Sequence, residues 1–399
     1  MPTSTSSQPT FSSQPTLAAR VKAQALELGF ALVGIAPATE ADGFAHFRAW
    51  LERGYAGEMA YLHKRAEARR HPESILAGVR SVIMVAMEYG GSVQTHKPAT
   101  AASGSVTTSA RNAAAPFHAR VAKYAQGPDY HPVMWGRLNR LAAWLEAEVP
   151  GCRTAAVTDT APLLERDFAR RAGLGWIGKN TMLIHPRRGS FFFLGALLTD
   201  CLLPPDEPFP AVHCGTCTAC LKACPTQAFP EPFVLDATRC ISYLTIELRS
   251  AIPPEQRDAI GDWLFGCDIC QDVCPWNRRR VSRAQRPGQT HPQPDQHEVA
   301  FPPDPQLEWL DPIELLQSDA DNFRQRFKKT SLWRSRRRGL LRNAAIVLGN
   351  IGDARALPAL EKACCDADEV IRDAAAWAIE RIRQRMAKGE SRAPAPPGA

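Results

Sequence analysis

The chain has 399 residues, 45% hydrophobic and 22% charged, the balance of a soluble globular protein with material for two or three domains. Lys and Arg outnumber Asp and Glu by 48 to 41, a net charge of +7 that permits a polyanionic partner without demanding one. No stretch nears the ~20 apolar residues of a membrane span, and the start lacks a basic patch, an apolar run and twin arginines, so a cytoplasmic protein without membrane contact is expected.

Residues 1–16 are rich in Ser, Thr, Gln and Pro and read as a disordered tail. A helix is expected from Leu17 to Gly29, followed by the strand FALVGIAP and a buried strand over Val82–Met87. The low-complexity stretch 91–116 reads as a flexible loop. Apolar spacing then predicts a helix through MWGRLNRLAAWLEAEV, a strand ending near Thr158, a helix containing LLERDFARRAG, and the turn-rich GLGWIGKN. TMLIH and SFFFLGALL, joined by PRRG, read as a hairpin. The alternation makes 17–203 an α/β or α+β domain. A cysteine-rich unit over 204–280, a Pro/Gln/His-rich linker over 281–305, a helical unit over 306–386 and a tail over 387–399 complete the chain. Two amphipathic patterns broken at GNIGD and CCDAD resemble HEAT-type repeats, too few for a solenoid, so this unit should pack on its neighbour.

Eight of the twelve cysteines lie between Cys214 and Cys274. Cys214, Cys217, Cys220 and Cys224-Pro225 form C-x2-C-x2-C-x3-C-P, a run in which three thiolates wrap one [4Fe–4S] cluster while the fourth reaches another. Cys267, Cys270 and Cys274-Pro275 form a second run one ligand short, and Cys240 can supply it. The expected sets are Cys214, Cys217, Cys220 and Cys274 for the first cluster, and Cys224, Cys240, Cys267 and Cys270 for the second. Paired C-x2-C units also make zinc sites, but those do not use three cysteines at successive two-residue gaps before C-P. Cys152, Cys201, Cys364 and Cys365 are assigned no chemistry.

With these motifs placed, VTDTAPLLERDFARRAGLGWIGKN, GSFFFLGALL, CGTCTACLKACPTQAF, RCISYLTIE and CDICQDVCPWN closely resemble the epoxyqueuosine reductase family, as do GEMAYLHKR and KYAQGPDYH upstream. The resemblance implies a cobalamin-dependent oxidoreductase with a cobalamin-binding α/β domain, a ferredoxin-like domain holding two [4Fe–4S] clusters, and a helical tail. It would reduce epoxyqueuosine to queuosine at the tRNA wobble position, the last step of queuosine biosynthesis. By the same resemblance Asp159 is the proton donor, its pKa expected to be raised by an apolar site. A cap for the helix beginning near Pro162 is the alternative role. Lys64, Leu183, Leu194, Ser242 and Asp268 would line the corrinoid, with Cys267 placing the second cluster beside it. Lys179 and Asn180 shape the pocket or serve only the turn.

GLGWIG follows a helix rather than a strand and so is not read as a dinucleotide fingerprint. Electrons are expected from a ferredoxin- or flavodoxin-type donor. From Arg324 to Arg342 the chain carries nine Lys/Arg and no Asp or Glu. Within it Arg334, Arg336, Arg337 and Arg338 are candidates for tRNA phosphates, as are Arg278, Arg279 and Arg280 after the second cysteine run. A monomer is expected. The competing functions are a reductive dehalogenase of small molecules and a non-catalytic two-cluster electron carrier.

Overall fold

A computed structural model describes residues 15–90, 116–209, 212–278 and 301–389. The tail expected at 1–16, the loop at 91–116, the linker at 281–305 and the tail at 387–399 lie wholly or largely outside the described residues.

Helix α1 (Leu17–Glu27) starts at Thr16, whose side chain accepts the Ala19 N–H, and is followed by Gly29 at φ +84°. Strands β1 (Leu32–Pro37), β2 (Ser81–Glu88) and β3 (Ala119–Val121) follow, then helix α2 (Tyr130–Glu148) and strand β4 (Thr154–Val157). Helix α3 (Glu165–Arg171), the short strands β5 (Trp176–Ile177) and β6 (Leu183–Ile184), and strand β7 (Phe192–Thr199) complete the first half. Four of these strands form one sheet in the order β1-β2-β7-β4, antiparallel at every pairing. The fold is therefore the α+β variant of the expected class.

The run Val82–Met87 is buried throughout because both faces of the sheet are covered. Ile83, Val85 and Met87 join the core beneath α1 and α2, while Val82, Met84 and Ala86 join the core against α3. That alternation is what a strand with two dry faces requires. β1 passes so close to the end of α3 that a Cβ on Gly34 would lie 2.0 Å from the Ala172 carbonyl oxygen. Gly34→Val should accordingly destabilise the fold by about 1–3 kcal/mol or more through overpacking, measured as a lower urea midpoint at unchanged m.

The expected hairpin of TMLIH with SFFFLGALL does not form as one sheet. β6 pairs with β5, and β7 pairs with β2 and β4, so only the bridge between His185 and Gly189 closes the turn between them. The pairing goes elsewhere because GWIG supplies β6 with a nearer partner.

The second half begins with the cysteine loops, then helix α4 (Ile241–Ile246) and strands β8 (Trp263–Phe265) and β9 (Trp309–Leu310). Helices α5 (Arg336–Ile351), α6 (Leu357–Ala363) and α7 (Glu369–Ala387) follow, broken at Gly352 and near Cys364 where the sequence breaks its pattern. The helical unit does pack on its neighbour. β3 lies between β8 and β9, and one core runs from Phe117 through Ile241 and Phe265 to Ile382. Arg342, 1% exposed, donates to the carbonyls of Leu244, Leu248 and Ser250, and Asn343 donates to those of Thr245 and Leu264. Part of the basic run thus serves as a buried weld. No helix among the described residues is long and apolar enough to cross a membrane.

Candidate active site and metal centres

Two tertiary pairings aim the Asp159 loop. β4 ends at Val157, and buried Thr158 donates its hydroxyl to the Leu194 carbonyl on β7 at 2.9 Å. Asp159 itself adopts φ +55°, a left-handed conformation that an aspartate tolerates and a bulkier residue resists. Its backbone N–H is held by Glu165 Oε1 at 2.7 Å. Because α3 begins only at Glu165, with Leu164 before it, Asp159 is not that helix's cap.

The Asp159 side chain is 63% exposed, so its carboxylate opens to solvent. Oδ2 accepts the Tyr130 hydroxyl at 3.0 Å and lies 3.4 Å from His131 Nε2. The latter contact is close enough for charge attraction but is not aligned as a hydrogen bond. Tyr130 stacks between Phe193, at 4.2 Å and 10°, and the His131 ring, at 4.1 Å. Asp129 accepts the His131 N–H and ring Nδ1 at 3.0 and 2.8 Å, capping α2 and fixing the imidazole together.

The protonation pattern differs from the sequence expectation. His131 and Tyr130 hold the Asp159 carboxyl below its ordinary value against the opposing effect of burial. The N-terminus of α2 favours the same anion. Burial opposes charge on His131, but Asp129 and Asp159 outweigh it and raise the imidazole to about 9. Burial, with the Asp159 charge second, raises Glu165 to about 8. These neighbours come together only in the folded chain, and they outweigh the effect of an apolar surrounding. At neutral pH the site carries its protons on His131 and Glu165, and Asp159 is the anion between them.

Other groups face the same space. Tyr124, Tyr61 and Arg334 all feel the Asp159 charge, and Tyr124 also feels Asp268. Arg334 is clamped by Glu247 through two 2.9 Å bonds and lies over Tyr61. Asp268 is 3% exposed, accepts the Lys123 N–H at 2.8 Å, and is pushed up to about 6 by burial. Sequence reasoning did not single out Tyr130, His131, Glu165 or Glu247. All four lie within quoted motifs, but nothing in their spacing shows that they meet.

The thiols of the two runs lie close enough to shift one another. Cys220 is raised to about 11 by burial and then by Cys274, Cys214 and Cys217, while Cys274 senses Cys214 and Cys217. Cys267 senses Cys240 and Cys270, and Cys270 senses Cys240, Cys220 and Cys224. Hence the last cysteine of each run faces the other run's group, with Cys220 and Cys270 adjoining across the gap. Cys224 Sγ accepts the Ala228 N–H at 3.4 Å. Among the described residues no three Cys, His, Asp or Glu converge on a single-ion site. The buried Trp176 Nε1 has no acceptor among the described residues, and its ring shares a buried group with Cys274; a cluster sulfur there would satisfy it.

For the corrinoid expectation the donor chemistry fits in part. Leu194 on β7 is half-buried and offers an apolar wall; half-buried Ser242 and exposed Lys64 offer donors to peripheral amides. Leu183 is 2% exposed and packed in the core with Phe168 of α3, so its side chain serves the core rather than a cofactor wall. Of the candidate phosphate contacts, Arg337 and Arg338 pair with Asp366 at 2.7 Å and Asp368 at 3.2 Å. Arg336 lies over Trp333, and Arg278 is exposed. Arg279 and Arg280 lie outside the described residues.

Three families match the chain. Residues 69–160 match the one described as epoxyqueuosine reductase QueG, DUF1730, residues 213–277 the 4Fe-4S double cluster binding domain, and residues 331–393 the HEAT repeats. An epoxyqueuosine reductase of Pseudomonas aeruginosa is 40% identical over 92% of this chain and 94% of its own. A crystal structure of an epoxyqueuosine reductase with an epoxyqueuosine-modified tRNA-Tyr stem loop is 30% identical, with TM-score 0.78, over 93% of this chain and 91% of that one. A Bacillus subtilis epoxyqueuosine reductase whose catalytic aspartate loop is swung out of the active site is 30% identical, with TM-score 0.77 and the same coverage.

Proposed function

Since the chain belongs to the epoxyqueuosine reductase family, we propose that it is an oxidoreductase that removes the epoxide oxygen of epoxyqueuosine at the tRNA wobble position, giving queuosine. The substrate epoxide takes two electrons and two protons, becomes an alkene, and releases water. One observation carries the reading to particular residues: an exposed carboxylate at φ +55° is held in place by Thr158 and Glu165, with the His131 imidazole behind it. In a strain lacking the gene, nucleoside mass spectrometry of tRNA should show epoxyqueuosine accumulating; unaltered queuosine would contradict the reading.

The cofactors in this reading are two [4Fe–4S] clusters on the eight thiols and cobalamin in the cavity between Asp159 and the second cluster, against Leu194, Ser242 and Lys64. Cobalamin, when bound, supplies a low-potential cobalt centre that receives electrons singly and delivers a pair. A ferredoxin- or flavodoxin-type donor feeds the clusters. GLGWIG leads into strand β5 and opens no helix, so it offers no phosphate-binding helix terminus. The protein is taken to act as a cytoplasmic monomer.

The chain's own part is to hold and move protons. Filling the cavity strips water from Asp159, and desolvation raises its carboxyl from the depressed value of the open site. His131, protonated at neutral pH, then resupplies the proton that Asp159 gives to the opening epoxide oxygen. The rate should therefore hold level at neutral pH and fall as pH rises through about 9, where the imidazolium is lost. In His131→Gln the plateau should drop and that limb should vanish; a wild-type limb unchanged in the variant would contradict the assignment.

The tRNA is held mainly through phosphates. Burial lowers Arg249, and the charges of Arg334 and Arg336 rank next among the cations acting on it, so three guanidiniums converge beside the cavity with Glu247 among them. Arg249→Ala with Arg336→Ala should weaken stem-loop binding and lessen the slope of log K against log salt by about 1–2. Arg337→Ala should do little, because Asp366 already neutralises that charge.

A further inference from the structure

The turn from Gly175 to Asn180 is wedged between the two cysteine loops. Lys179 Nζ donates to the carbonyls of Gly215 and Cys217 at 2.7 and 3.0 Å, gripping the first run. Asn180 Nδ2 donates to the Cys270 carbonyl at 3.3 Å, gripping the second. Trp176 is 1% exposed and shares a buried group with Cys274, with Cys214 packed against it. Its ring meets His213 and Trp276 edge-on, with centroids 5.0 Å away in each case. The indole Nε1 has no hydrogen-bond partner among the described residues. An indole N–H only donates, and a buried donor without an acceptor is costly, so the environment of Cys214 and Cys274 must supply one.

We propose that Trp176 and Lys179 set the reduction potential of the first cluster, the indole N–H donating to one of its sulfurs and the ammonium offsetting the charge of the added electron. The inference rests on the assignment of Cys214, Cys217, Cys220 and Cys274 to one cluster. Reduction adds one negative charge to a cage already bearing four thiolates. A donor aimed at sulfur and a fixed cation both favour the more negative form and raise the potential. The second loop receives the neutral amide of Asn180 from the same turn, so the effect falls on one cluster.

The test is an anaerobic redox titration of the full-length, cluster-loaded protein followed by electron paramagnetic resonance, with iron counted in each sample. Trp176→Phe and Lys179→Met should each disfavour reduction of the first cluster about tenfold, ~59 mV for one electron, and leave the second unmoved. Lys179→Arg should restore the native value. Unchanged potentials at full iron content, or equal shifts of both clusters, would overturn the proposal. Should Trp176→Phe lose iron, the wild-type protein labelled with 15N in its indole rings decides: coupling of one indole nitrogen to the reduced first cluster supports the proposal, and its absence refutes it. A wrong ligand assignment would show differently, as iron loss in cysteine variants that does not follow the two sets.

Discussion

Asp159→Asn is expected to slow deoxygenation by about 10²–10⁴-fold, the range for a lost general acid, while iron content and unfolding midpoint stay at wild-type values. Asparagine tolerates the left-handed conformation at φ +55° and can still accept from the Tyr130 hydroxyl. It cannot carry a proton. The substitution therefore removes the chemical function and leaves the loop held by Thr158 and Glu165. Single-turnover rates under anaerobic conditions on an epoxyqueuosine stem loop measure the effect. A rate within a few-fold of wild type would mean that the proton reaches the epoxide oxygen by a route that avoids Asp159.

The second large effect concerns the crossed ligands. Cys214→Ala with Cys274→Ala should remove one cluster and leave about four irons per chain, although the two residues lie in different motifs. Cys267→Ala with Cys274→Ala, both within one motif, should strip both clusters. The structure motivates this through the thiols that Cys274 senses, Cys214 and Cys217, and through Cys270 sensing Cys224. Were each run to hold its own cluster, the two double variants would give the reverse counts. Iron and acid-labile sulfide analysis on anaerobically loaded protein reads the difference.

Much of the architecture was legible because local signals were strong. The run Val82–Met87 announced a buried strand, the pattern from Leu17 to Gly29 announced α1, and the breaks near Gly352 and Cys364 ended helices where the pattern lapsed. The double-cluster unit was legible for another reason: a proline-terminated cysteine run at successive two-residue gaps is a strong [4Fe–4S] pattern. Pairing between distant segments was harder to see. β6 chose β5 over β7, and the proton-bearing group assembled from Tyr130, His131, Asp159 and Glu165, which belong to different elements. Depression rather than elevation of the Asp159 carboxyl followed from that assembly, and no one-dimensional pattern encodes it. The basic run misleads in the same way. Arg342 is interior and Arg337 and Arg338 are neutralised by acids of the turn before α7, leaving Arg336 to project its charge beside Arg249 and Arg334.

The most direct measurement is an anaerobic reaction of the protein, loaded with iron–sulfur clusters and cobalamin, with a low-potential electron donor and an epoxyqueuosine-bearing stem loop, followed by mass analysis of the nucleosides. The expected product is queuosine, lighter than the substrate by one oxygen. Intact epoxyqueuosine after donor oxidation, in protein carrying its full ~8 irons, would contradict the account.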